Sequence, residues 1–120
     1  MHIHESAEDY LEAILRLREQ KGYVRSVDIA AMLGVTKPSV SFAMKRLREN
    51  GFILMAEDNH ITLTQTGEAI ARRVYDRHKT LVSYLVSIGV SEDTAREDAC
   101  KIEHDISEET FEALRRQLTN

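Results

Sequence analysis

Apolar side chains recur at steps of three and four from Ala7 onward: Leu11, Ile14 and Leu15 share one stripe, with Tyr10 and Leu17 beside it, until Lys21-Gly22. That period predicts a first helix. Val27, Ile29, Ala30 and Leu33 predict a short second one, with Ser26 where an N-cap belongs and Gly34 where a left-handed stop belongs. After the Gly34-Val35 turn, Thr36 can cap a third helix with Pro38 in its first turn, where a missing N–H costs little. Val40, Met44 and Leu47 then face inward, and Leu33, Val35, Val40 and Leu47 are expected to pack the two helices as a helix-turn-helix. Gly51 ends the third helix. Phe52 to Glu57 and His60 to Thr64 read as two strands around the tight-turn pair Asp58-Asn59. Thr64 or Thr66 opens a long fourth helix with Ile70, Val74, Leu81 and Leu85 on one stripe, ending before Gly89. Ser91 caps a fifth helix reaching about His104, and Ser107 caps a sixth with Phe111, Leu114 and Leu118 inward.

The pattern is mainly α with a small β-hairpin: a winged helix-turn-helix domain over residues 1–64, followed by a helical dimerisation domain over residues 65–120. The three later helices cannot bury their apolar faces alone, so a homodimer is expected. A symmetric dimer also suits palindromic double-stranded DNA, because two recognition helices must enter major grooves about one helical turn apart.

Composition narrows the classes. With 120 residues, the chain can bury one modest core or two small interlocked ones, which excludes a large multidomain enzyme. The longest nearly apolar run, Leu81 to Val90, contains two serines and falls well short of the roughly 18 residues that cross a bilayer. No membrane span is expected. The start, Met-His-Ile-His-Glu-Ser, lacks the basic and apolar regions of a secretory signal, and the expected location is cytoplasmic. Cys100, the single cysteine, cannot form an intrachain disulfide and stays a thiol in a reducing compartment.

The net charge of −4 conceals an uneven distribution. Thr36 to Arg48 contains four bases and no acid, whereas Glu92 to Glu112 contains nine acids and two bases. The basic stretch is the third helix, which makes it the DNA-reading candidate. Its outward residues are Thr36, Lys37, Pro38, Ser39, Ser41, Phe42, Lys45 and Arg46. Hydroxyls at its N-terminal end can reach base edges or phosphate, and Lys45 and Arg46 suit phosphate. Phe42 either meets a thymine methyl or shields the helix packing. The bland alternative for the whole run is a solvated helix face. His60, in the wing, suits a phosphate or solvent contact.

Acids and histidines cluster elsewhere. Asp9 and Glu12 are three apart in the first helix and share a face; His78 interrupts the apolar stripe of the fourth; Cys100, Glu103 and His104 stand at i, i+3 and i+4 in the fifth. Carboxylates, imidazoles and a thiol together suit a transition metal rather than magnesium. Each has a structural alternative. A lone histidine on a stripe is more often hydrogen-bonded core, a lone cysteine more often a small hydrophobe, and the acids can serve a helix dipole or surface pairs. Their coincidence carries the metal reading. His2 and His4 lie just before Asp9 and Glu12 and could cap such a site, but terminal residues without a role are the simpler expectation.

Glu8-Asp9-Tyr10-Leu11-Glu12, Lys21-Gly22-Tyr23, Asp28-Ile29-Ala30, Pro38-Ser39-Val40, Arg77-His78 and Ile102-Glu103-His104 resemble, in order and spacing, the diphtheria-toxin-repressor family of metal-dependent transcriptional repressors. The short manganese transport regulators are the branch most resembled. The resemblance implies a homodimer with a metal site formed by Asp9, Glu12, His78, Cys100, Glu103 and His104. One or two divalent ions per subunit would act as co-repressor, manganese or iron, with cobalt and zinc also compatible. The manganese branch usually has a carboxylate where Cys100 stands; the iron branch has cysteine there but methionine where Asp9 stands. The chain ends soon after the sixth helix, so a smaller dimer interface than in longer relatives is expected.

The expected switch follows from charge. Without metal, Asp9, Glu12, Glu103 and a thiolate repel one another; with metal, the helices are joined and the recognition helices are fixed for a palindromic operator. One alternative is a metal-independent winged-helix regulator that senses a small organic effector. Another is a di-metal carboxylate enzyme, but that chemistry uses paired Glu-x-x-His motifs, and Glu57 to His60 falls in the wing.

Overall fold

The computed structural model describes residues 5–119, and His2 and His4 lie outside them. The chain divides into two compact units, Met1–Arg72 and Arg73–Asn120. The first holds α1 (Glu5–Lys21), α2 (Ser26–Leu33), α3 (Lys37–Glu49), β1 (Ile53–Met55), β2 (Ile61–Leu63) and the start of α4 (Gln65–Ser87). The second holds the rest of α4, α5 (Glu92–Ile102) and α6 (Glu108–Thr119).

In the first unit the periodic residues of α1 do what their spacing requires: Leu11, Ile14, Leu15 and Leu17 are all buried. Ile29 and Ala30 of α2 and Val40, Met44 and Leu47 of α3 join them. Each of the leucine, isoleucine, valine and methionine side chains is worth about 1.5–3 kcal/mol of burial, which is what holds short helices that would be marginal alone. Gly34 takes the left-handed conformation, φ 66°, and its N–H returns to Ala30 O at 2.9 Å. Thr36 Oγ1 accepts from Ser39 N at 3.2 Å and so caps α3, with Pro38 in the first turn.

Two expectations for this region are corrected. The N-cap of α2 is Arg25, one residue before Ser26, because the Asp28 carboxylate reaches back to accept from Arg25 N at 3.0 Å. Lys21 Nζ grips the other oxygen of Asp28 at 2.8 Å and, as the main cause, holds that carboxyl below its usual range. Val35 is exposed rather than packed, since the turn after Gly34 carries it outward; Val27 is exposed as well.

The strands are shorter than their alternation suggests. Ile53 pairs with Leu63, Leu54 with Thr62 and Met55 with Ile61, and the turn closes through Asn59 at φ 67°. Ile53 and Ile61 point inward and Leu54 outward. Ile61 N donates to Val24 O at 2.8 Å, which ties the wing to the α1–α2 loop. Thr64 is the residue that starts α4: its Oγ1 accepts from Gly67 N at 3.1 Å and donates to Gly51 O at 2.7 Å. Arg18 of α1 forms a two-bond fork with Glu68, at 2.7 and 3.0 Å, and Arg72 adds a third bond at 3.0 Å.

In the second unit, Val74 and Leu81 of α4, Ala95 and Ala99 of α5 and Phe111 of α6 are buried. Ser91 caps α5 and Ser107 caps α6, accepting from Thr94 N at 3.4 Å and Thr110 N at 3.1 Å. The fifth helix stops at Ile102, so Glu103 is its C-cap and His104 belongs to the following turn. The i, i+3, i+4 arithmetic still holds at Glu103 because its backbone remains helical, φ −58° and ψ −25°.

Candidate metal centre and nucleic-acid interface

His78 comes from the middle of α4, Cys100 from the last turn of α5 and Glu103 from its cap. His78 Nδ1 donates to Glu103 Oε2 at 2.9 Å, and Cys100 Sγ lies 3.9 Å from the same nitrogen. One ligand atom from each of the three lies within 4.8 Å of the other two. The Glu103 side chain is fully buried, and its Oε1 has no hydrogen-bond partner among the described residues, standing 3.4 Å from His104 Nε2. A carboxylate placed out of water with an oxygen left over is costly unless a cation or donor completes it. An imidazole, a thiol and a carboxylate at this spacing form a mixed nitrogen, sulfur and oxygen donor set, so the residues present fit a borderline divalent transition metal. Cys100 is exposed, not buried as a small hydrophobe would be, which leaves its thiol accessible.

The turn carrying Glu103 and His104 is held by a residue whose role sequence reasoning missed. Arg77 is 6 % exposed; its Nη1 donates to Glu103 O at 3.1 Å and Ile106 O at 3.0 Å, and its Nη2 to Glu108 Oε2 at 3.1 Å. Its guanidinium also covers the Phe111 ring at 5.2 Å. The only signal was an arginine adjoining His78 on a helix. Asp9 and Glu12 lie on α1, where Glu12 is 5 % exposed and Asp9 partly so.

In the first unit, Thr36, Lys37, Pro38, Ser39, Ser41, Phe42, Lys45 and Arg46 are all exposed, opposite the buried Val40, Met44 and Leu47. A cavity of about 380 Å³ beside them is lined by Arg25, Ser26, Ser41, Lys45 and Arg48, with no acid in its wall. Arg25 and Arg48 were absent from the expected DNA surface, because neither sits on the outward stripe that periodicity marks. His60 stacks on Tyr23, ring centroids 5.3 Å apart, and pairs with Asp58 at 3.3 Å.

A short helix, a glycine turn, a basic helix and a wing, joined to a helical unit with a mixed-donor cluster, define a winged-helix regulator with a metal-binding domain. The N-terminal DNA-binding domain of iron-dependent repressors matches residues 2–61, and their metal-binding and dimerisation domain matches residues 64–120. The chain belongs to this family, that of the diphtheria-toxin repressor, and falls with its manganese regulators. It is 41% identical over 114 residues to the transcriptional regulator MntR of Escherichia coli O6:H1, covering 95% of this chain and 74% of that one. Among solved structures it resembles IdeR of T. acidophilum (TM-score 0.83, 30% identity) and the manganese regulator SloR (TM-score 0.83, 28% identity). It covers 100% and 99% of this chain in those two matches but only 56% and 55% of theirs, so it spans little more than half their length.

Proposed function

We propose that the chain is a metal-dependent DNA-binding repressor that controls metal homeostasis, with manganese(II) or iron(II) as co-repressor. It acts in the cytoplasm as a homodimer on a palindromic operator and catalyses no reaction. The functional division is placed at 1–64 for DNA binding and 65–120 for metal binding and dimerisation; the extents of the two family matches support it. No described helix is long and apolar enough to cross a membrane.

The observation that carries the reading is the buried Glu103 carboxylate with His78 and Cys100 donors around it, in a chain whose other unit presents a basic, exposed α3. The proposed ligands are Asp9, Glu12, His78, Cys100, Glu103 and His104. What supports Asp9 and Glu12 is their shared face on α1 and the resemblance of Glu8 to Glu12 to the family pattern. A bound divalent cation supplies charge neutralisation at these carboxylates. The chain's own contribution is positional: Arg77 fixes the turn that aims Glu103 and His104, and the Glu103 hydrogen bond orients the His78 ring. On the DNA side, the Thr36 hydroxyl and the first turn of α3 point out for bases or phosphate, and Lys45 and Arg46 for phosphate.

Anaerobic titration with manganese(II), iron(II), cobalt(II) and zinc(II), followed by binding to a labelled palindromic DNA pool at fixed salt, tests this. Operator affinity rising with at least one metal supports it. DNA binding indifferent to all four overturns the switch and leaves a winged-helix regulator that senses another effector.

A further inference from the structure

Phe42 lies about 200° around α3 from the buried Val40, given 3.6 residues per turn, and therefore at the centre of the exposed face. It is 64% exposed, so it does not shield the packing of the helices. The Arg46 guanidinium sits over its ring, 5.7 Å from the centroid, and Lys45 lines the same shallow depression. A large aromatic held out into water, braced by a cation one turn on, is an unusual use of the most solvent-directed position of a short helix.

The surrounding charge decides what covers it. From Thr36 to Arg48 there are four bases and no acid, and Glu49, the one acid lining the depression, is outweighed there by Lys45 and Arg46, so the partner of this face is an anion, and the domain is matched to a DNA-binding family. In the major groove an apolar side chain has one apolar group to meet, the C5-methyl of thymine. We infer that Phe42, fixed by Arg46, is a thymine-methyl reading site and a specificity-determining residue for the operator. This rests on the proposed function, with α3 as the helix that enters the major groove of the operator. Arg46 has two tasks in this arrangement: its charge faces the phosphates, and its stacking reduces the freedom that Phe42 would lose on docking. Lys45, on the other flank, adds attraction without sequence preference.

The test uses palindromic duplexes selected from a random pool by the metal-loaded protein, then remade with deoxyuridine in place of thymidine at one half-site position at a time. Uracil keeps every hydrogen-bonding group of thymine and lacks only the methyl. The expected result is one position per half-site where the exchange weakens binding about fourfold, the worth of one buried methyl-sized group. Phe42→Ala should bind thymidine and deoxyuridine duplexes equally, while Phe42→Leu retains part of the difference. Circular dichroism should match the parent, because the side chain is exposed. Equal binding of both duplexes by the parent, or discrimination that survives in Phe42→Ala, overturns the inference while leaving the repressor reading standing. Phe42→Ala that keeps all DNA affinity and discrimination but loses self-association or binding to another protein assigns the patch to a protein contact and also overturns it. A parent that selects no duplex with any metal overturns both this inference and the reading it rests on.

Discussion

Glu103 has a fully buried side chain, an Oε1 beside His104 Nε2 and an Oε2 bonded to His78. A carboxylate in that position costs folding free energy until a cation balances it, so its retention makes sense if binding, not stability, is the purpose. Glu103→Gln keeps the shape and an oxygen that can accept from His78 while removing the charge. Its apo form is expected to melt no lower than the parent, and its affinity for divalent cations to fall about 100-fold in a competition titration against a chromophoric chelator. Equal affinity would remove Glu103 from the ligand set. Cys100 answers a separate question, since its exposed thiol stands 3.9 Å from His78 Nδ1 and is soft where the carboxylates are hard. Cys100→Ser is expected to lose about tenfold in zinc and cobalt affinity and to keep manganese affinity nearly unchanged, which would assign metal selectivity to this position. Parallel losses for all metals would mean that the serine disturbs the site instead.

At the scale of elements, α4 begins against the backbone of residue 52, and Gly67 is what permits it. A Cβ at Gly67 would stand 1.9 Å from Phe52 O, a backbone atom, so the chain itself would have to shift. Gly67→Ala should therefore destabilise the protein by about 3 kcal/mol, read by urea unfolding; a loss within experimental error would show that the hairpin shifts freely on α4. The same helix end is pinned to α1 by Glu68, whose carboxyl is lowered to about 2, first by the Arg18 fork and then by Arg72, although its partial loss of water pushes the other way. A depressed carboxyl contributes stability that is complete above its unfolded value near 4.5 and is lost as pH falls toward 2. For a partly exposed pair that contribution is about 0.5–1 kcal/mol. The stability difference between the parent and Glu68→Gln should therefore shrink from pH 5 to pH 2; a constant difference would mean that packing, not charge, makes the contact. Much of this level was legible in the sequence, because caps and periods are local: Thr36, Ser91, Ser107 and Gly34 act where their residue types suggest. The Arg25 cap was hidden because it depends on Asp28 turning back, and Gly67 because nothing local marks a close approach. In the cluster of His78, Cys100 and Glu103, spacing along α5 was enough to align Cys100 with Glu103. The reach of Arg77 to residues 103 and 106 was not visible, since it depends on the separation of two helices.

For the molecule as a whole, the question is how a chain of charge −4 approaches a polyanion. Its residues 73–120 carry ten acids and seven bases, while the exposed α3 carries cations without acids between Thr36 and Arg48. At physiological salt the screening length is about 8 Å, so charges beyond the contact surface affect binding weakly and the local cations dominate. Lys45 is the cation to test, because it is exposed on α3 and also lines the acid-free cavity beside Arg25 and Arg48. If it neutralises one phosphate per subunit, Lys45→Gln should flatten the slope of log affinity against log salt by about 0.9 per subunit, or about 1.8 for a dimer, in metal-loaded protein. The loss should be the same on selected and scrambled duplexes, since a phosphate contact carries no sequence information. Arg96→Gln, on the exposed side of α5, should leave the slope unchanged. A loss confined to the selected duplex would make Lys45 a base reader, and an unchanged slope would mean that this face does not meet the backbone, so the dominance of local cations over net charge would have to be placed elsewhere on the winged domain.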